Sequence, residues 1–161
     1  MDHPKDIGDR SALAVMLALR EAGYAIAVPF GENTRYDLVM DDGIRLMRVQ
    51  CKTGRLREGA VRFNTASSYA HLPSPRELRR TYHGQIEHFG VYCPETGGIY
   101  LIPIDDVNCT KEARLRVAPS RNRQRKRIRL AADYQIGTVA MPALSVTRAP
   151  RVSSGAPGSS A

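Results

Sequence analysis

Two short apolar runs, residues 36–40 and 44–52, flank Asp41-Asp42-Gly43. An Asp-Gly step between such runs signals a tight turn, so they are expected to pair as an antiparallel hairpin. Successive side chains of a strand point to opposite faces. Gln50 and Lys52 then share one face of the second strand, with Cys51 on the other. Asp37 lies in the first strand, within Tyr36-Asp37-Leu38-Val39. Leu46 and Arg48 argue against strict alternation along 44–52.

The remaining segments are organised around this hairpin. Residues 9–22 carry Leu13, Met16, Leu17 and Leu19 at helical spacing. Asp9 and Ser11 are the candidate caps of that helix, and Gly23 is its candidate stop. A strand is expected over 25–30, ending at Gly31-Glu32-Asn33. Residues 53–59 hold turn formers and basic charge, and 60–65 form a further strand. Residues 67–84 read as a polar, irregular insert containing Pro73, Pro75 and Tyr82. Apolar runs at 89–93 and 99–104 are joined by a turn at 94–98. A short helix is expected at Asp105-Asp106, a last strand over 113–117, and order over 131–136. From about residue 147 the chain turns to Ser, Gly, Ala and Pro, a composition that cannot bury enough surface to order itself. The organisation is thus one domain over 1–146 and a disordered tail over 147–161. A helix, then a strand meander, then a mixed end implies α/β with a mixed sheet.

The formal net charge of +8 favours a polyanionic partner. The three cysteines, Cys51, Cys93 and Cys109, are too few and too far apart for a disulfide framework or a zinc site. A reducing, cytoplasmic setting fits them. No apolar run is long enough to span a bilayer, and the N-terminus lacks a signal core.

Asp37, Gln50 and Lys52 outline a site for metal-dependent phosphodiester hydrolysis. A hard divalent ion seeks oxygen ligands. Asp37 offers a carboxylate, Gln50 an amide oxygen and Cys51 its backbone carbonyl. Lys52 is placed to act on the attacking water and to offset charge on phosphate. Taken singly, Asp37 reads as a solvated acid, and Gln50 with Lys52 as a polar strand end. Asp9 is either a helix cap or a further ligand, with Glu32 its rival. His3, His71, His83 and His88 form no metal-binding pair. Arg121, Arg123, Arg125, Lys126 and Arg127, with Arg114, Arg116 and Arg129 around them, form a basic run with no acid between 114 and 129. Such a run is either a solvated face or a phosphate contact, and Arg55 and Arg57 add to the second option.

Longer segments carry a family resemblance. Pro29-Phe30-Gly31-Glu32-Asn33, Arg35-Tyr36-Asp37-Leu38-Val39 and Arg48-Val49-Gln50-Cys51-Lys52-Thr53-Gly54 resemble the PD-(D/E)XK nuclease superfamily, and within it the group I intron-type homing endonucleases. So do Phe89-Gly90-Val91-Tyr92-Cys93-Pro94-Glu95-Thr96, Tyr100-Leu101-Ile102-Pro103, Leu115-Arg116-Val117 and Ala132-Asp133-Tyr134. The resemblance spans residues 5–136 and implies a restriction-endonuclease-like core, a mixed β-sheet flanked by helices. It implies cleavage of double-stranded DNA with Mg²⁺ or Mn²⁺, by a homo-oligomer, with no small-molecule substrate. Asp37 matches the family's acidic ligand and Lys52 its lysine; Gln50 stands where the superfamily usually has Asp or Glu. Asp9 corresponds to an acid of the first helix that is Glu in many relatives. The alternatives are a DNA-binding module that has lost cleavage and a structure-specific nuclease resembling Holliday-junction resolvases.

Overall fold

The computed structural model describes residues 3–31, 33–66, 81–108, 111–119 and 128–139. Glu32, most of the polar insert, the basic residues Arg121, Arg123, Arg125, Lys126 and Arg127, and the C-terminal tail lie outside the described residues.

Helix α1 spans Pro4–Glu21 and starts ahead of the expected position. His3 caps it, its Nδ1 accepting from the Lys5 N–H at 3.3 Å, and Pro4 takes the first helical place, where no N–H is needed. Asp9 and Ser11 are therefore inside the helix and cap nothing. The expected stop holds: the N–H groups of Gly23 and Tyr24 return to the carbonyls of Arg20 and Leu19.

The strands are β1 (Ala25–Ala27), β2 (Leu38–Asp41), β3 (Leu46–Thr53), β4 (Arg55–Arg57), β5 (Ala60–Asn64), β6 (His88–Cys93), β7 (Gly98–Pro103), β8 (Glu112–Arg116) and β9 (Gln135–Thr138). Six form a mixed sheet in the order β1-β2-β3-β6-β7-β9, and three form a small sheet, β4-β5-β8. In the large sheet β3 and β6 run parallel; every other neighbouring pair is antiparallel. The expected hairpin at Asp41-Asp42-Gly43 is present, with Asp42 Oδ1 accepting from the N–H groups of Ile44 and Arg45.

Several expectations are corrected. β1 is shorter than expected, because Pro29 and Gly31 follow it. Residues 55–57 are a strand: Glu58 and Gly59, both at positive φ, make the two-residue turn that pairs β4 with β5. The last strand is β9, which follows β8. β3 does alternate, with Val49 and Cys51 buried and Arg48, Gln50 and Lys52 on the other face. Tyr82, placed by its sequence neighbours in a polar insert, is buried in the core.

Among the described residues one α-helix flanks the large sheet, where helices were expected on its flanks. α1 packs Ala14, Val15, Ala18 and Leu19 on Leu38, Met40, Val49 and Ile99. The opposite face, with Phe89, Val91 and Ile102, is covered by Val61 and Phe63 of β5 and Leu115 of β8. Cys51 and Cys93 are buried free thiols on these two faces. Among the described residues, no helix is long and apolar enough to cross a membrane.

α1 can approach this closely because β6 carries Gly90 at the crossing. A Cβ there would lie 2.6 Å from Val15 Cγ1 and 3.2 Å from Val49 Cγ1. Val15 is fully buried and β-branched, so it has little freedom to yield. Gly90→Ala is expected to lower stability by about 1–3 kcal/mol through overpacking. A urea midpoint unchanged from wild type would rule this out.

Candidate functional site

The β2–β3 pairing sets the site. Leu38 pairs with Val49, and the Asp37 N–H donates to the Val49 carbonyl at 2.9 Å, which carries the pairing past the end of β2. Asp37 thereby reaches the face of β3 that holds Gln50 and Lys52. Asp37 Oδ2 accepts two hydrogen bonds of 2.7 Å, from the Cys51 N–H and from Gln50 Nε2. Gln50 Nε2 also lies 3.4 Å from the Cys51 carbonyl oxygen. The Cys51 side chain points the other way, under α1, where burial and then the Asp37 charge push its thiol pKa far up. Cys51 thus presents only backbone to the site.

Lys52 is held from the far side of the chain. Its Nζ donates to the Tyr82 hydroxyl at 3.1 Å and lies 4.9 Å from the centre of the Tyr82 ring. The Arg35 guanidinium carbon lies 4.2 Å from the same ring centre, so one aromatic meets two cations. Tyr82 can serve because it is fixed: its ring is 3% exposed and meets Phe89 edge-on at 5.5 Å. Arg35 is tied to the same segment through Gln85 Oε1 and, at 3.1 Å, the Thr81 carbonyl. One step along β3, the Arg48 N–H donates to Glu87 Oε2 at 2.6 Å, and its guanidinium meets Glu87 Oε1 at 2.5 Å. That pairing raises the Arg48 pKa and lowers that of Glu87.

Sequence reasoning missed Tyr82, Arg35 and Arg48 as site residues. Arg35 carried a usable signal, since it stands two residues before Asp37 and extended chain turns both to one side. Tyr82 carried none; its approach to Lys52 depends on the tertiary fold.

Asp9 is less well placed than expected of a ligand. It is exposed in the second turn of α1, on the flank it shares with the partly buried Ala12 and Met16. Its charge is felt at Asp37, but among the described residues no hydrogen bond joins them. Arg55 and Arg57 are exposed on β4, and Arg55 meets Glu95 at 3.5 Å.

The carboxyl of Asp37 is reachable by solvent, yet protein surrounds it closely enough to strip much of its hydration. That loss raises its pKa; the Cys51 N–H and the charge of Lys52 oppose the rise, and Asp9 adds to it. The Asp37 carboxylate and the Cys51 carbonyl both lie within reach of the Gln50 amide and could hold a cation. The Gln50 amino group, weakly positive and shared between Asp37 Oδ2 and the Cys51 carbonyl, marks where those oxygens converge. A half-turn of the amide presents Gln50 Oε1 instead. The donors are hard oxygens, as a partly hydrated Mg²⁺ or Mn²⁺ requires. Among the described residues no cluster of three His, Cys, Asp or Glu side chains could hold a metal, so this set leans on an amide and a carbonyl.

A mixed sheet with α1 on one face, and an acid, an amide and a lysine on the other, has the restriction-endonuclease-like fold. The PD-(D/E)XK endonuclease family model matches residues 2–137, and the chain belongs to that family. It is a nuclease. The structure of a bacterial homing endonuclease, I-Ssp6803I, is similar at a TM-score of 0.68 and 21% sequence identity, over 83% of this chain and 89% of that one. The Archaeoglobus fulgidus Holliday junction resolvase Hjc aligns at a TM-score of 0.41 and 15% identity, over 68% of this chain and 83% of its own. No curated protein matches the chain.

The raised pKa of Asp37 gives a stability prediction. Ionised Asp37 weakens the fold; the penalty is absent below the ordinary value of 3.8, where folded and unfolded chains are both protonated, and complete above the folded value. Asp37→Asn is expected to raise the unfolding midpoint at neutral pH in EDTA and to lose that advantage as the pH falls to 3.8. Added Mg²⁺ should stabilise wild type and leave Asp37→Asn unmoved. Equal midpoints at neutral pH, or the same Mg²⁺ response in both proteins, would contradict this account of Asp37.

Proposed function

We propose that the chain is a metal-dependent endonuclease that hydrolyses phosphodiester bonds of double-stranded DNA, in the manner of a homing endonuclease. The observation that carries this reading is the convergence of Asp37 Oδ2, the Cys51 carbonyl and the Gln50 amide within 2.7–3.4 Å, with Lys52 next on the same face. In it, Asp37, Gln50 and the Cys51 carbonyl would hold Mg²⁺ or Mn²⁺, and Asp9 would complete the metal site or orient a water there. When bound, the ion supplies positive charge to the scissile phosphate and acidity to a water. Lys52 hydrogen-bonds the attacking water and offsets charge developing on the phosphate. Tyr82 keeps the Lys52 amine aimed into the site: it holds the amine through a neutral hydroxyl and leaves its charge for the phosphate. Arg55, Arg57 and the run Arg121, Arg123, Arg125, Lys126 and Arg127 are assigned to the DNA backbone on charge. Exposed Leu13 and Leu17, one turn apart on α1, support a homo-oligomer, and the buried free thiols support a cytoplasmic setting.

One observation favours a second reading, a DNA-binding module without cleavage: the Gln50 amide presents its N–H group to Asp37. Nicking of supercoiled plasmid separates the two. Wild type is expected to nick with Mg²⁺ or Mn²⁺ and to stop in EDTA. Lys52→Ala should be slower by about 10²–10³-fold, the scale of losing one transition-state donor. Tyr82→Phe should be slower by about tenfold, the loss of one hydrogen bond to a charged group. Equal nicking by wild type and Lys52→Ala would remove Lys52 from the mechanism. Salt-sensitive DNA binding with no product in either metal would establish the second reading.

A further inference from the structure

We propose that the outward face of the small sheet is the surface on which the phosphate backbone of duplex DNA rests. The proposal rests on the nuclease reading above and names where that substrate docks.

The sheet is two-faced. Val61, Phe63, Ala113 and Leu115 point inward and are buried in the core. Alternation turns Arg55, Arg57, Arg62, Arg114 and Arg116 to the other side. The register then does something an ordinary solvated face avoids. Arg55 sits opposite Arg62, and Arg62 opposite Arg114, giving a row of three guanidinium side chains across all three strands. Arg57 and Arg116 flank Ala60 in the next row. Like charges directly opposite in a sheet are destabilising.

Nearby carboxylates relieve part of this. Glu58 meets Arg62; Glu112 lies 3.9 Å from Arg62 and 3.2 Å from Arg114; Glu95 lies 3.5 Å from Arg55. Three carboxylates thus face five arginines, and among the described residues Arg57 and Arg116 have no ion-pair partner. The pairs of Arg55 and Arg114 are exposed, and such pairs contribute little and exchange readily. Arg62 and Arg116 are half-buried, and the Nε of each is buried without a hydrogen-bond partner. A guanidinium that gives up a surface carboxylate for a phosphate keeps the same bidentate geometry.

The chemistry of the face selects its ligand. The row spans two strand spacings, about 10 Å, wide enough to meet more than one phosphate. Among the described residues the face carries no aromatic side chain on which an unpaired base could stack, as single-strand binders require. It suits the backbone of a duplex and gives affinity without base readout. Its first arginine, Arg55, follows Lys52 by three residues in the chain.

The test is duplex binding in EDTA, so that no cleavage intervenes, by fluorescence anisotropy on two DNA duplexes of unrelated sequence. The double variant Arg57→Ser, Arg114→Ser is expected to weaken binding to both duplexes by the same factor. It should also reduce the slope of log affinity against log salt by about 0.9 for each phosphate that the variant no longer neutralises. Its unfolding midpoint should equal or exceed that of wild type, since cross-strand repulsion is relieved. A salt slope unchanged from wild type overturns the docking face; metal-dependent nicking by wild type would still leave the nuclease reading standing. Weakening confined to one of the two DNA duplexes also overturns it. Failure of wild type to bind duplex DNA, together with failure to nick plasmid, overturns both.

Discussion

The parallel pairing of β3 with β6 is the constraint on which the rest of the molecule depends. Parallel neighbours cannot be joined by a tight turn; the chain must leave the sheet and cross over to start again at the same end. α1 occupies one face of the large sheet, so the described parts of this crossover lie on the other. That is the face on which Gln50 and Lys52 project. The crossover therefore delivers β4, β5 and Tyr82 to the side where the candidate chemistry sits. Glu87 closes it, exchanging backbone and side-chain hydrogen bonds with Arg48 just before β6 begins.

The same arrangement sets a tension at Asp37. Its carboxylate is fixed by a backbone N–H and by the Gln50 amide, yet the surrounding protein removes more hydration than these contacts restore. A site optimised for stability alone would place an amide or an apolar group there. Destabilised charge is a common mark of function, since a ligand of opposite sign offsets its cost. Gln50 is neutral, which limits the tension: a carboxylate so close to Asp37 would raise both pKa values further.

What was legible in the sequence follows from how local each signal is. Asp37, Gln50 and Lys52 could be read together because a hairpin turn and strand alternation act within 16 residues; the structure bonds Gln50 to Asp37 and puts Lys52 on the same face of β3. The helix start was misplaced because His3 is an unusual cap and the apolar stripe gathers only from Ala12 and Leu13 onward, well past Pro4. β4 was hidden because its turn is Glu58-Gly59, and a glutamate at positive φ is not a pattern that signals a hairpin. Tyr82 was out of reach for a different reason. Its neighbours in sequence are polar, and its burial against Phe89 exists only once the crossover has closed.

Gly54 joins the two halves of this design. It lies between β3 and β4, and its N–H donates to the Tyr92 carbonyl at 2.7 Å, extending the parallel pairing by one step beyond Thr53. A Cβ at this position would lie 2.6 Å from Val61 Cγ1 and 2.9 Å from Val91 Cγ1. The strand that carries Lys52 thus passes in contact with both sheets where they meet. Because the contact is between buried valines and bare backbone, the small sheet has little room to shift relative to the site. The strands of the small sheet are consequently fixed with respect to β3 by the core itself.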